Sequence, residues 1–135
     1  MVAIVAEQRA RVLVVEDDEA VSQLLKTVLA AEGYEVICAS TDVEAYEELD
    51  RKGSSVDALV LDINLGAGTT GFDVARYGRR INASVAVIFI SGGAEASVEK
   101  FGVADATLVA KPFDIPLLIA TLEEKVGPSN RSPTA

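Results

Sequence analysis

Five short apolar, β-rich runs recur along the chain, at Val12 to Val15, Glu35 to Ala39, Val56 to Leu61, Val85 to Ile90 and Thr107 to Ala110, each followed by a segment with helical features. That alternation describes five βα units, because parallel strands need a long crossover between them and a helix is the usual one. The third and fourth runs are apolar almost throughout, as strands covered on both faces are. The expected fold is therefore α/β: a single doubly wound sheet of five parallel strands with helices on both faces. At 135 residues, with 50% hydrophobic, the chain has the size of one domain and enough apolar matter for one core. The expected domain spans residues 11–127, between a flexible N-terminal extension, 1–10, and a flexible C-terminal tail, 128–135.

The helical segments differ in clarity. In the first, Val21, Leu24, Leu25, Val28 and Leu29 form one apolar stripe, Asp18 stands at its start and Gly33 stops it. The second opens with Thr41-Asp42-Val43-Glu44, a capping-box spacing, carries Val43, Tyr46 and Leu49 on one side and ends by Gly53. A third, from about Phe72 to Arg80, is weakened by Gly78. The stretch from Ala94 to Phe101 is short and poorly patterned between Gly92-Gly93 and Gly102. The last has Asp114 as cap, Pro116 in its first turn and Ile115, Leu118, Leu122 and Val126 as its buried stripe, ending at Gly127-Pro128.

Composition removes several function classes. A net charge of −9 argues against direct binding to nucleic acid, which needs clustered Lys and Arg. The one basic cluster, Arg76, Arg79 and Arg80, falls on the third helix and reads as a solvated face. Cys38 is the only cysteine, so no internal disulfide forms. With no His beside it, thiol catalysis is not expected, and it reads as a small core residue of the second strand. The apolar stretch in Met1 to Ala10 is broken by Glu7 and has no basic leader, unlike a signal peptide. No run approaches the roughly 20 apolar residues of a membrane helix, so the expected location is the cytoplasm.

Chemistry gathers where the runs end. The first ends in Glu16-Asp17, the third in Asp62, the fourth in Ser91 and the last in Lys111-Pro112. In an open parallel sheet these ends share one edge, beside which ligands bind. If the strands are wound in the order 2-1-3-4-5, the first and third are neighbours, and Glu16, Asp17 and Asp62 converge. Carboxylates held that close repel, and a hard divalent cation relieves the repulsion; an all-oxygen site without His or Cys suits Mg²⁺, with Mn²⁺ an acceptable substitute. Asp18 and Glu19 are better read as acids complementing a helix start. Lys111 has a stem long enough to reach across the edge to an anion, and the Ser91 hydroxyl can donate to a phosphoryl oxygen.

Together, Val12-Leu13-Val14-Val15-Glu16-Asp17-Asp18, Leu61-Asp62, Ser91-Gly92 and Lys111-Pro112-Phe113 resemble the receiver domain of two-component response regulators, over nearly the whole chain from about Arg11 to Val126. The resemblance supplies the flavodoxin-like (βα)5 fold with strand order 2-1-3-4-5. It implies that Asp62 is the phosphoacceptor, charged by a phosphohistidine on a sensor histidine kinase or a histidine phosphotransfer protein. It further implies that Glu16, Asp17, Asp62 and the backbone carbonyl of Asn64 hold Mg²⁺, while Ser91 and Lys111 bind the phosphoryl oxygens. The expected role is that of a stand-alone receiver, not an enzyme in the turnover sense, signalling through altered contacts with a downstream protein.

The chain departs from the family's pattern in two places. Receivers commonly have Pro four residues after the acceptor and Gly eight after it; here Gly66 takes the first place and Gly71 comes nine after Asp62. Where the family usually has an aromatic residue, three before the Lys, this chain has Leu108, whose aliphatic side chain cannot reproduce a ring flip. The expected switch therefore lies elsewhere, in the Gly-flanked stretch after Gly92. Three rival readings remain. Gly66-Ala67-Gly68-Thr69-Thr70-Gly71 matches a dinucleotide-binding G-x-G-x-x-G, but it follows the third strand and not the first. Asp62-Ile63-Asn64 is half of a D-x-D phosphatase motif without its second acid. A receiver-like adapter, acting by protein binding without phosphorylation, is the main alternative.

Overall fold

A computed structural model describes residues 8–63, 70–92, 103–112, 114–127 and 130–131. The elements in chain order are β1 (Gln8–Arg9), β2 (Arg11–Val15), α1 (Glu19–Ala31), β3 (Glu35–Ala39), α2 (Asp42–Lys52), a 3-10 turn (Gly53–Ser55), β4 (Ala58–Asp62), α3 (Gly71–Ile81), β5 (Ala86–Ser91), β6 (Thr107–Ala110), α4 (Ile115–Val126) and β7 (Asn130–Arg131). Five strands form one sheet in the order β3-β2-β4-β5-β6, all neighbours parallel. Counting only these five, the order is 2-1-3-4-5, the doubly wound sheet expected. The stretch from Ala94 to Phe101, with its expected switch, lies outside the described residues, as do Asn64, Gly66 and Phe113.

Alternation along the strands builds two cores. Leu13, Val15, Leu59, Leu61, Val87 and Phe89 face α2 and α3, where Ala45, Leu49, Phe72, Val74 and Ala75 meet them. Val12, Val14, Ala58, Val60, Ile88, Ile90 and Val109 face α1 and α4, against Leu25, Leu29, Leu118 and Leu122. Every residue of β4 and β5 is buried, which is why both runs lack polar alternation. The caps follow the sequence: Asp18 accepts the Val21 N–H at 3.1 Å, Thr41 the Glu44 N–H at 3.1 Å and Asp114 the Leu117 N–H at 3.1 Å.

Several expectations are corrected. Leu24 is 46% exposed and Val43 61%; on α1 Leu25 and Leu29 are buried with Val21 and Val28 partly so, and on α2 Ala45 and Leu49 are buried with Tyr46 partly so. Cys38 is exposed, because β3 is an edge strand flanked only by β2. Gly78, read as a weak point of α3, also lets the helix sit close to the sheet: a Cβ there would stand 2.7 Å from Leu59 Cδ1, at the end of that side chain. Arg79 is not merely solvated, since its guanidinium donates to Val85 O at 2.7 Å and Ala104 O at 2.8 Å. Within the segments expected as flexible extensions, Gln8–Arg9 pairs antiparallel with Asn130–Arg131.

Tyr34 is a large buried side chain whose hydroxyl finds no hydrogen-bond partner among the described residues. Burying an unsatisfied hydroxyl is unfavourable, so Tyr34→Phe is expected to raise the unfolding free energy by about 1 kcal/mol in urea titrations, and a loss of stability would contradict this account.

Candidate functional site

The carboxyl ends of the strands place the predicted residues along one edge. Asp62 closes β4 and lies in register with Ile90 of β5; Ser91, one residue further on, is in register with Ala110 of β6. Backbone bonds continue the ladder beyond the strands. The Glu16 N–H donates to Ala39 O at 3.0 Å, the Ile63 N–H to Ile90 O at 3.1 Å and the Lys111 N–H to Ser91 O at 2.9 Å. Glu16, Asp62 and Lys111 each follow by two residues a valine of the α1/α4 face, Val14, Val60 and Val109. Period-two alternation therefore aims their side chains to the same side.

Their geometry is that of one ionic cluster. Lys111 Nζ donates to Asp62 Oδ2 at 3.1 Å and to Glu16 Oε1 at 3.2 Å. Glu16 and Asp62 are almost wholly buried, at 1% and 6% exposure, and Asp17 is exposed. One carboxylate oxygen from each of Glu16, Asp17 and Asp62 lies within 4.8 Å of the others. Burial first, then the nearby carboxyls of Asp62 and Asp17, push the Glu16 carboxyl up to about 7, against the pull of the Asp18 N–H, which donates to Glu16 Oε2 at 3.1 Å. Burial disfavours the Lys111 ammonium, but its bonds and charge pairing with Asp62 and Glu16 outweigh that, and its pKa rises.

These residues fit a hard divalent cation. The donors are all oxygen, two are fixed and buried, and the third opens to solvent, so an ion held there keeps water ligands as Mg²⁺ prefers. Ser91 is buried at the same edge. Leu108, at the position of the family's aromatic residue, is partly buried against the core of the α2/α3 face.

Sequence reasoning overlooked one contact. Gly71 begins α3, and a Cβ built on it would lie 2.3 Å from the carbonyl oxygen of Asp62. The signal was the glycine that ends the G-x-G-x-x-G match: Gly71 is required because backbone meets backbone there, a steric reason that involves no nucleotide. The Thr70 N–H and Oγ1, just before it, both donate to Asp73 Oδ2 at 3.1 Å and fix the start of the helix.

A doubly wound sheet carrying three acids and a lysine on its carboxyl edge has the architecture of a signalling receiver. The family model of the response regulator receiver domain matches residues 12–123, and the chain belongs to that family. It is 34% identical over 117 residues to the sensor kinase CckA of Brucella abortus, a match that covers 85% of this chain and 12% of that protein. With the transcriptional regulatory protein TcrA of Mycobacterium tuberculosis it shares 33% over 129 residues, 92% of this chain and 49% of that one. The chain thus spans at most about half of each of these two curated relatives. Among solved structures, a response regulator receiver protein from Sinorhizobium medicae superposes with a TM-score of 0.82 at 27% identity, over 88% of this chain and 95% of that one. The receiver domain of the hybrid histidine kinase CckA gives 0.75 at 29%, over 87% and 99%. No helix among the described residues is long and apolar enough to cross a membrane.

The raised Glu16 pKa has a consequence for the ion-free protein. Against an ordinary value of 4.5, a folded-state value of about 7 means that the folded protein retains a proton the unfolded chain releases. Stability therefore falls as pH rises through that window. Glu16→Gln keeps the shape and cannot ionise. In EDTA it is expected to gain stability relative to wild type between about pH 5 and about pH 8, and a difference that stays flat with pH would refute the shift.

Proposed function

We propose that this receiver accepts a phosphoryl group from a phosphohistidine onto Asp62, in a Mg²⁺-dependent reaction. The observation that carries the reading is the Lys111 ammonium bonded to both Glu16 and Asp62 beside a three-carboxylate cluster. An Asp62 oxygen attacks phosphorus, a P–O bond forms, and the P–N bond breaks with its electron pair returning to the imidazole of the donor. The product is an acyl phosphate on Asp62. Lys111 then pairs with a phosphoryl oxygen in place of a carboxylate, and the Ser91 hydroxyl donates to another. Glu16, Asp17, Asp62 and the backbone carbonyl of Asn64 would hold Mg²⁺, which when bound offsets the charge on the transferring group.

The donor is a sensor histidine kinase or a histidine phosphotransfer protein. Support comes from the family, and from a relative that is itself a sensor kinase. The adduct adds negative charge where Ser91 and Lys111 stand, and redirecting these two side chains alters the surface offered to a downstream protein. The protein is thus a signalling phosphoacceptor that acts on its own carboxylate.

Incubation with acetyl phosphate and Mg²⁺ is expected to give one acid-stable, base-labile phosphoryl adduct by intact mass, absent in Asp62→Ala and absent in EDTA. No adduct on wild type, under conditions that label another receiver, would leave the phosphorylation-independent adapter as the reading; an adduct on Asp62→Ala would move the acceptor elsewhere.

A further inference from the structure

We propose that Gly71 is a positioning residue for Asp62, a role that rests on Asp62 being the acceptor. The first residue of α3 lies directly on the backbone that carries the acceptor: its N–H donates to Ile63 O at 3.0 Å. A Cβ at position 71 would meet Asp62 O at 2.3 Å, Asp62 C at 3.1 Å and Ile63 Cα at 3.2 Å. All three atoms are backbone, so no rotamer relieves the contact. Either α3 retreats or the Asp62–Ile63 peptide moves.

The helix is the stiffer of the two. Gly78 seats it on Leu59, Phe72 stacks edge-to-face on Phe89 with ring centroids 5.0 Å apart, and Asn82 Nδ2 donates to Val56 O at 3.0 Å. Arg79 ties it to Val85 and Ala104 as well. The Asp62–Ile63 peptide is held to β5 by one bond, the Ile63 N–H to Ile90 O at 3.1 Å, at the end of the described ladder. A methyl group on Gly71 therefore displaces the peptide, and the Asp62 carboxylate goes with it, away from Lys111 and the other acids.

Gly78 provides the control. A Cβ there meets the tip of the Leu59 side chain, so Gly78→Ala disturbs the packing of the same helix without pressing on Asp62. Amide chemical shifts, Mg²⁺ titration and acetyl phosphate labelling distinguish the two variants. Gly71→Ala is expected to shift the Asp62, Ile63 and Ile90 amides, and to lose on the order of tenfold or more in Mg²⁺ affinity and labelling rate, as misplacement of a reacting group does. Gly78→Ala is expected to lower the melting temperature while keeping wild-type Mg²⁺ affinity. Wild-type Mg²⁺ affinity and labelling in Gly71→Ala, or equal losses in both variants, would overturn the role. If Gly71→Ala is unfolded in buffer, the comparison is made in trimethylamine N-oxide, which favours compact states; failure to fold there as well would make Gly71 a folding residue and also overturn the proposal. Should wild type itself take no label, the acceptor reading fails, and the amide shifts and Mg²⁺ titration still decide whether Gly71 sets the position of Asp62.

Discussion

Two nearly buried carboxylates at the ends of β2 and β4 share one ammonium, and the carboxyl edge of the sheet is organised around that imbalance. Removing charge from water costs several kcal/mol per ion unless it is paired. Glu16 and Asp62 bear that cost, and Lys111 offsets part of it by reaching both at 3.1–3.2 Å. Three carboxyls stand against one amine, and burial first, then the neighbouring carboxyls, keep the proton on Glu16 up to about pH 7. The fit of the site to a hard divalent cation follows from this shortage of positive charge. Either an added cation or a group that draws Lys111 away changes the balance among the same four side chains.

The sheet makes the cluster rigid enough for that balance to matter. β4 is buried along its length and paired on both sides through Leu61, while Asp62 is in register with β5 alone, so the strand is fixed up to the residue that carries the carboxylate. α3 closes the opposite side of the same peptide through Gly71. One glycine admits the helix to Asp62 and another admits it to Leu59, so the helix that lowers its own propensity with Gly78 gains a close seat on the sheet. Arg79 links the far end of that helix to the backbone before β6, the strand whose end carries Lys111. The elements that hold Asp62 and Lys111 are thus joined by one helix as well as by the sheet.

Much of this was legible in the chain. Uninterrupted apolar runs in β4 and β5 announced strands buried on both faces, and Asp18, Thr41 and Asp114 announced helix starts, because capping depends on neighbours in sequence. The failures share a cause. Leu24, Val43 and Cys38 are exposed although their residue types suggest burial, since which apolar residue is covered depends on which helix lies over which strand. Gly78 was read through local propensity and Gly71 through a motif match and family spacing, and their reasons lie in residues 19 and 9 positions away.

What the sequence by itself determined was the inventory: five βα units, the polar residues that end their strands, and the caps, all governed by interactions within a turn or two of chain. Only the tertiary structure decided the pairing. Lys111 sits on both Glu16 and Asp62, the Glu16 carboxyl is deprived of water, and the helix presses on the Asp62 carbonyl. These are contacts between segments up to 95 residues apart, and their strength depends on distance and burial, which the order of residues does not specify and the folded sheet does.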